Sequence, residues 1–237
     1  MLKKEEMRDV VINKSRPNIY FKKTIIHALE QYRKSWELGN SVLYNLCRKH
    51  PTHKTEGEVL AKIWLIGRSY AAALERRKNK EKESSSDDFY NNAADQIQQS
   101  EIDKWIEESR NNNDPEVHIK THKEVTTLFE TITGLEKRSL ASKYLHFHLP
   151  KKFFIYDSRA AGAMPALLRE LGIKKVTVTH KGKEYDEKYA SFYEKCLVAQ
   201  KAIKEKFNIN CSCRDLDTVL IHFDKIKKTL NIKGWQL

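Results

Sequence analysis

The chain has 237 residues, and its 44 Lys and Arg against 32 Asp and Glu give a formal net charge of +12 at pH 7. This excess of positive charge favours a polyanionic partner such as a nucleic acid, although a lysine-rich composition that only serves solubility is the alternative. The sequence has no apolar run of transmembrane length, and its four cysteines, at positions 47, 196, 211 and 213, lack the number and spacing of a disulfide framework, a metal site or an iron–sulfur site. We therefore expect a cytoplasmic protein with no metal, no cofactor and no membrane contact.

Apolar residues at helical spacing dominate the first third of the chain. Helices are predicted over residues 20–38 and 41–48, with a helix end at the Gly-Asn pair 39–40 between them. A longer helix is predicted over residues 55–77, because Thr55 with the glutamates after it is typical of a helix N-terminus. Its broad apolar stripe indicates a helix of the core.

A polar segment interrupts this pattern. Residues 78–88 are rich in Lys, Glu, Ser and Asp and predict a loop, and one or two polar helices follow before the Asn-rich break at 111–114. The stretch 78–116 is therefore predicted to be a flexible polar insert within a single domain that covers residues 1–237.

The centre of the chain carries the most informative pattern. A helix is predicted over residues 115–133, and after Gly134 a second helix carries Leu140, Tyr144 and Phe147 at one-turn spacing until Pro150. The apolar run 153–156 is too short for a helix and is predicted to pack inside. It fixes the residue that follows it, Asp157, at the start of an Ala-rich helix, where an Asp also serves as an N-cap.

The remainder of the chain is also predicted to be helical. A helix from Asp157 to Gly172 contains Pro165, which predicts a kink or a fresh turn, and residues 176–183 form a brief strand or an extended connection. Two amphipathic helices follow. With eight glycines and little β-type patterning, the fold is predicted to be all-α, with two helical lobes.

The stretch from Gly134 to Arg159 resembles a known signature. A helix entered through a short hairpin, then a loop that ends in an Asp opening the next helix, is similar to the helix-hairpin-helix and Gly/Pro-rich-loop motif of the DNA glycosylase superfamily that includes endonuclease-III-like enzymes. The resemblance implies that Asp157 assists cleavage of the bond between base and sugar, at the junction of the two lobes. It also implies a monomer that binds duplex DNA with one nucleotide flipped out.

Members of this superfamily that also cut the strand carry a Lys about eighteen or nineteen positions before the Asp. Here those positions hold Ser139 and Arg138, which favours hydrolysis of the glycosidic bond without strand cleavage. Lys137 precedes the window, and Lys143 lies one helical turn after Ser139 on the same face, so either could be displaced toward the site. For Lys143 a phosphate-binding or solvent-facing role is the alternative.

The resemblance also suggests binding residues. The start of the helix at Ser139, with Lys137 and Arg138, is a candidate phosphate site, and Arg159 follows the candidate catalytic Asp. Tyr156 and Arg68 are candidates for the base pocket. A core position is the alternative for the tyrosine, and a surface position is the alternative for the arginine.

Trp64 and Tyr70 are further candidates for stacking on a flipped base, and a place in the core is the alternative for both.

Several functions stay open at this level. The predicted substrate is a damaged base in DNA repair. The hairpin has one glycine where the superfamily usually has two, and this departure keeps open a hypermodified base in phage DNA, removed as antiviral defence. A nucleic-acid-binding helical protein without catalysis and an unrelated helical interaction protein also remain compatible with the sequence.

Overall fold

A computed structural model describes residues 19–78 and 85–232 of the chain. Within these ranges the protein consists of α-helices joined by turns and loops and contains no β-strand, which confirms the predicted all-α class. The helices are α1 (Ile19–Ser35), α2 (Glu37–Lys49), α3 (Glu56–Ser69), α4 (Ser86–Gln98), α5 (Ile102–Asn111), α6 (Pro115–Thr133), α7 (Arg138–His148), α8 (Ser158–Glu170), α9 (Glu187–Phe207) and α10 (Cys213–Ile232).

The break between the first two helices lies at Trp36 and not at residues 39–40, where the sequence predicted it. Asn40 is buried within α2, and its side-chain amide donates hydrogen bonds to the Tyr32 hydroxyl at 2.7 Å and to the Trp36 carbonyl at 2.9 Å. These hydrogen bonds tie α2 back to α1. Since the Asn40 side chain has partners inside the fold, it does not end a helix.

The third helix begins as predicted but ends earlier. The Thr55 hydroxyl accepts a hydrogen bond from a backbone amide of the first turn, whereas the helix ends at Ser69 and not near residue 77. Ala71 adopts a left-handed conformation, with φ of 50°, and the next amide donates to the Gly67 carbonyl at 2.8 Å. This turn places Tyr70 on the wall of a cavity that Asp157 also lines.

The helices predicted after the polar loop are present as α4 and α5, but they pack into the core, so the described residues 85–116 are not a polar insert. Helices α4 and α5 each bury an apolar stripe, which includes Phe89, Ile97, Ile102 and Ile106. Because charged residues separate the apolar positions, the segment has a polar overall composition. Its apolar residues nevertheless recur at helical spacing and form one face. The predicted loop also extends too far, because α4 begins at Ser86; residues 79–84 lie outside the described ranges.

The helices bury two separate hydrophobic clusters. The first, the α2–α7 cluster, includes Leu43, Val59, Ile63, Ile66, Phe89, Ile97, Ile106, Val125, Phe129, Leu140, Tyr144, Phe147 and Phe153. The second, the α8–α10 cluster, includes Phe21, Ile25, Phe154, Met164, Leu167, Leu171, Tyr189, Tyr193, Cys196, Ile203, Leu216, Val219 and Leu220. The loop between α7 and α8 supplies consecutive residues, Phe153 and Phe154, to different clusters, so it crosses from one to the other.

The last third of the chain follows the predicted helices. Helix α8 continues through Pro165, and residues 176–183 form an extended connection. The buried Glu194 carboxylate holds this connection, since it accepts hydrogen bonds from the Thr179 amide at 2.9 Å and from the His180 side chain at 2.6 Å. None of the helices in the described ranges combines the length and the apolar character that a membrane span requires.

Replacement of glycine by alanine is expected to change the free energy of unfolding in opposite directions at Gly134 and Gly162. Gly134 ends α6 with φ of +68°, so Gly134→Ala is expected to lower the free energy of unfolding by about 1–2 kcal/mol. Gly162 lies inside α8, where an added Cβ meets no atom within 4 Å, so Gly162→Ala is expected to raise it by about 0.5–1 kcal/mol. Urea denaturation measures both. Effects of the same sign would contradict this assignment of backbone conformations.

Candidate active site

A cavity of about 830 Å³ lies where α1, α2, α8 and α10 meet the turn after α3 and one face of α7. Its wall combines aromatic side chains, among them Tyr32, Trp36 and Tyr70, with ionisable ones. The ionisable residues on the wall are Lys143, Asp157, Arg159, Arg214, Asp217, His222 and Lys225. A mostly concave, partly aromatic space with several converging charged groups is typical of a small-ligand site.

Asp157 is the N-cap of α8, and its carboxylate also lies beside Lys143. One carboxylate oxygen, Oδ1, accepts hydrogen bonds from the amides of Arg159 at 3.0 Å and Ala160 at 2.9 Å and so caps α8. The other oxygen, Oδ2, lies 3.6 Å from the Lys143 ammonium. The cap fixes the carboxylate through one oxygen and leaves the second directed at the lysine.

The segment before Asp157 is fixed to α7. The Ser142 hydroxyl accepts a hydrogen bond from the Tyr156 amide at 2.9 Å, and the apolar residues Phe153, Phe154 and Ile155 are buried. Both observations agree with the prediction that this short run packs inside. The distance between α7 and the start of α8 therefore does not depend on the ion pair alone.

Lys143 is buried, so the solvent-facing role is excluded in this structure. Its side chain is 4% exposed, and its ammonium donates hydrogen bonds to the Ser139 hydroxyl at 3.0 Å and to the Tyr70 carbonyl at 3.2 Å. Burial lowers the pKa of this amine below its ordinary value, and the nearby Asp157 opposes that effect. A buried lysine with a lowered pKa has a larger fraction of the neutral, nucleophilic amine at neutral pH.

A second charged pair, which the sequence pattern did not single out, lies on α10. Arg214 donates through Nη1 to Asp217 Oδ2 at 3.1 Å and through Nε to the Tyr44 hydroxyl at 3.0 Å. Its guanidinium carbon lies 5.4 Å from the ring centres of both Tyr70 and Phe147. The available sequence signal was a pair of opposite charges at i and i+3 beside the apolar stripe of a helix.

A chain of hydrogen bonds connects this pair to α7. His146 donates through Nδ1 to the Phe153 carbonyl at 2.8 Å and accepts from the Tyr44 hydroxyl at 2.7 Å, and the same hydroxyl accepts from Arg214. Burial lowers the pKa of His146 to about 3, so the ring is neutral and has one donor and one acceptor. On the side of Arg214 that faces away from Asp217, its orientation is thus set by two neutral groups, the Tyr44 hydroxyl and the His146 ring.

Burial raises the pKa of Asp217 to about 6. Arg214 and Lys143 lower it, whereas the neighbouring Asp157 raises it further. Asp217 is thus ionised at neutral pH, and the two nearby cations favour that charged form.

The predicted DNA-binding residues around the start of α7 are largely used within the protein. Lys137 donates to the carbonyl of Ala73 at 3.2 Å and to that of Arg76, and burial lowers its pKa to about 8. Arg138 forms ion pairs with Asp186 and Glu136. These contacts give no support to a phosphate-binding role for either residue.

Of the other two predicted DNA-binding residues, Ser139 lies beside the cavity through its hydrogen bond with Lys143. Arg159 lines the cavity directly, and its half-exposed guanidinium pairs with Asp224 at 3.0 Å.

The structure does not bring the two predicted base-pocket residues to this cavity. Tyr156 packs edge-on against Phe192, and Arg68 pairs with Glu75 at 2.7 Å with more than half of its side chain exposed. The expected pocket around Tyr156 and Arg68 is therefore incorrect for the space that contains Asp157. Trp64 is 50% exposed and also lies elsewhere.

Of the three aromatic residues that the sequence suggested for stacking, Tyr70 is the one that lines the cavity. Its inward position follows from the early end of α3.

The chain matches no family model, no curated protein and no solved structure. The resemblance of residues 134–159 to the glycosylase signature thus stands on those residues alone.

The raised pKa of Asp217 predicts a pH-dependent cost. Because the folded protein binds this proton more tightly than the unfolded chain, the contribution of Asp217 to stability is expected to fall as the pH rises from about 4 to about 6. Asp217→Asn removes the ionisation. The difference in the free energy of unfolding, variant minus native protein, should therefore increase by about 1–3 kcal/mol from pH 4 to pH 7. Urea titrations at each pH measure this difference. The value at pH 4, where Asp217 is largely protonated, gives the effect of the side-chain replacement apart from its charge. A difference that is the same at both pH values would contradict the burial of an ionised Asp217.

Proposed function

We propose that the protein is a DNA glycosylase, a cytoplasmic monomer that flips a nucleotide out of duplex DNA and hydrolyses the bond between its base and sugar. The observation that carries the proposal is the pairing of Lys143 and Asp157, 3.6 Å apart, on the wall of a cavity of about 830 Å³. Its second support is the resemblance of residues 134–159, which rests on sequence and is independent of these contacts.

The chemistry requires one well-placed carboxylate. Cleavage of an N-glycosidic bond builds positive charge on the sugar, and a nearby carboxylate stabilises that charge or orients the attacking water. In Asp157 the oxygen Oδ1 is held by two backbone amides, so Oδ2 has a fixed position from which to act. Preorganised charge of this kind is the usual source of transition-state stabilisation.

The cavity also suits a flipped base. Its volume lies within the range of about 300–1,000 Å³ found for small-ligand sites. Tyr32, Trp36 and Tyr70 provide aromatic faces on which a base could stack, and Trp36 is largely exposed, so it is accessible to DNA. The half-exposed Arg159 and the net charge of +12 favour the approach of a phosphate backbone.

Two kinds of substrate fit this proposal. A damaged base places the protein in DNA repair, and a hypermodified phage base places it in antiviral defence. Release of free base from a panel of damaged and phage-modified DNAs separates them. DNA binding that weakens with salt, without release of any base, would favour a non-catalytic nucleic-acid-binding protein. If the protein does not bind DNA at all, an unrelated helical interaction protein would be favoured.

Asp157→Asn tests the carboxylate. The amide keeps the oxygen that caps α8 but removes the negative charge, so base release should fall by about 10²-fold or more while the protein still folds and binds DNA. Its thermal stability is expected to be lower, because Lys143 loses its charged partner. The matched control is Asp114→Asn, at the N-cap of α6 and away from the cavity, which should retain full activity. Single-turnover release of base from duplex oligonucleotides measures both. Near-native release by Asp157→Asn would assign the chemistry elsewhere.

The position of Lys143 favours a second candidate reaction, in which the protein also cleaves the strand. The sequence disfavoured it because Ser139 occupies the usual lysine position. The buried amine with a lowered pKa is nevertheless next to Asp157. In this reaction the neutral amine attacks the sugar carbon that carries the base, the base leaves with the bonding electrons, and opening of the sugar ring gives a protonated imine.

Borohydride decides between the two reactions. If Lys143 is the nucleophile, reduction during turnover should trap a covalent protein–DNA adduct that Lys143→Ala abolishes and Lys137→Ala does not. Lys137 is the matched control, because it is also a partly buried lysine with a lowered pKa, but it does not line the cavity. Denaturing gel electrophoresis detects the adduct. Base release with an uncut strand and no adduct would assign the reaction to hydrolysis alone.

A further inference from the structure

A second groove lies between α8, α9 and the segment that joins these two helices. Its volume is about 650 Å³, and it shares no lining residue with the cavity that contains Asp157. Apolar side chains from both helices and from the segment line it, among them Tyr156, Met164, Leu168, Ile173, Val176 and Phe192. A ligand with apolar side chains can therefore bury them in this groove.

The same groove carries an excess of positive charge. Four lysines line it, Lys174, Lys175, Lys188 and Lys195. In the described part of the chain, none of the four side chains has an ion-pair or hydrogen-bond partner. The acid on this wall, Glu187, already accepts a hydrogen bond from the Gly182 amide at 3.0 Å. The uncompensated lysines favour an acidic ligand.

The segment that borders the groove has the character of a β-strand. Residues 173–180 contain neither a helix nor a turn nor a bend, and residues 176–179 are all β-branched, as is common in strands. Val176 and Val178 are partly buried, whereas Thr177 and Thr179 are exposed. This alternation is typical of a strand with one buried face.

Both ends of the segment are held by hydrogen bonds, whereas the backbone between them has no partner. The Ile173 amide donates to the Leu168 carbonyl at 2.8 Å, and the Thr179 amide donates to the Glu194 carboxylate at 2.9 Å. The amides and carbonyls of residues 174–178 form no hydrogen bond with any described residue. A row of unpaired backbone groups beside an apolar groove is a template for the pairing of another strand.

We propose that this groove binds an acidic peptide strand of a partner protein. The peptide pairs through its backbone with residues 174–178 and places every second side chain against the apolar wall. Its intervening side chains are aspartate or glutamate and lie near the lysines. The inference goes beyond the proposed function and does not depend on it.

Two other occupants fit the groove less well. A second copy of the chain would bring like charges together, because the segment and its continuation carry Lys174, Lys175, Lys181 and Lys183. A DNA backbone would be attracted by the lysines, but its phosphates would leave the apolar wall without a partner. An acidic strand with alternate apolar residues matches the lysines, the apolar wall and the unpaired backbone together.

Designed peptides test the inference with the native protein. The probe is an eight-residue peptide of alternating glutamate and valine with blocked termini, and its control has a lysine in place of each glutamate. Fluorescence polarisation of trace labelled peptide measures binding. We expect a dissociation constant of about 10–100 µM for the acidic peptide and at least about tenfold weaker binding of the basic one. Equal binding of the two, or binding of the acidic peptide weaker than about 1 mM, would overturn the inference.

Methylation of the peptide backbone separates strand pairing from attraction between charges. In a strand the amides of successive residues point to opposite edges, so the glutamate amides face one edge and the valine amides the other. Methylation of one set blocks the pairing, and methylation of the other set leaves it intact. We expect the two methylated peptides to differ in affinity by about tenfold or more. Equal affinities would show that charge alone attracts the peptide and would contradict the proposal.

Two double variants connect binding to the groove. Lys174→Glu with Lys175→Glu reverses two charges beside the segment and should weaken binding of the acidic peptide about tenfold. The matched control is Lys22→Glu with Lys23→Glu, which changes two consecutive exposed lysines of α1 outside the groove and should leave the affinity within about twofold. The same loss in both variants would reveal a general effect of net charge and overturn the inference.

Further measurements detect the other occupants. If sedimentation of the native protein shows a dimer that the acidic peptide dissociates, the segment pairs with a second copy and the proposal is overturned. If Lys174→Glu with Lys175→Glu abolishes DNA binding and the native protein does not bind the acidic peptide, the lysines belong to a nucleic-acid surface, which also overturns it. Since the groove and the cavity share no lining residue, base release tests the proposed function separately.

Discussion

Two pairs of oppositely charged residues, Lys143–Asp157 and Arg214–Asp217, are buried between the two hydrophobic clusters. The rest of the structure depends on this constraint. Lys143 belongs to a helix of the α2–α7 cluster, whereas Asp157, Arg214 and Asp217 belong to helices packed in the α8–α10 cluster. The Lys143–Asp157 pair forms only when the two clusters have docked. Arg214, which pairs with Asp217 inside α10, reaches the Tyr44 hydroxyl of α2 only then as well. Removal of one partner of a buried pair leaves an uncompensated charge that costs about 3–5 kcal/mol, so assembly of the site and assembly of the fold are linked.

This linkage explains why the loop between α7 and α8 is apolar. Phe153 packs into one cluster and Phe154 into the other, which fixes the loop where it crosses between them. The chain then has only a few residues in which to reach the start of α8, and Asp157 occupies that point. A carboxylate held by a helix cap loses little conformational freedom on binding a ligand, and a fixed charge stabilises a transition state better than a mobile one.

The sequence predicted those features that depend on neighbours along the chain. The all-α class, the limits of α6 and the cap at Asp157 follow from helical spacing and from capping residues. It failed where the outcome depends on distant partners. Asn40 lies inside a helix because Tyr32 accepts its hydrogen bond, and the Arg214–Asp217 pair has meaning only beside residues far away in the chain. Capping rules and periodicity contain no information about such contacts.

The same limit applies to the position of the lysine. Counting residues back from Asp157 leads to Ser139, but side chains on a helix point toward its N-terminus and a lysine spans more than one turn. The Lys143 ammonium therefore reaches back to donate to the Ser139 hydroxyl at 3.0 Å, one turn before its own position. An amine can thus lie beside position 139 although the residue there is a serine. The position of the amine in space, and not its count along the chain, determines which reactions the site can perform.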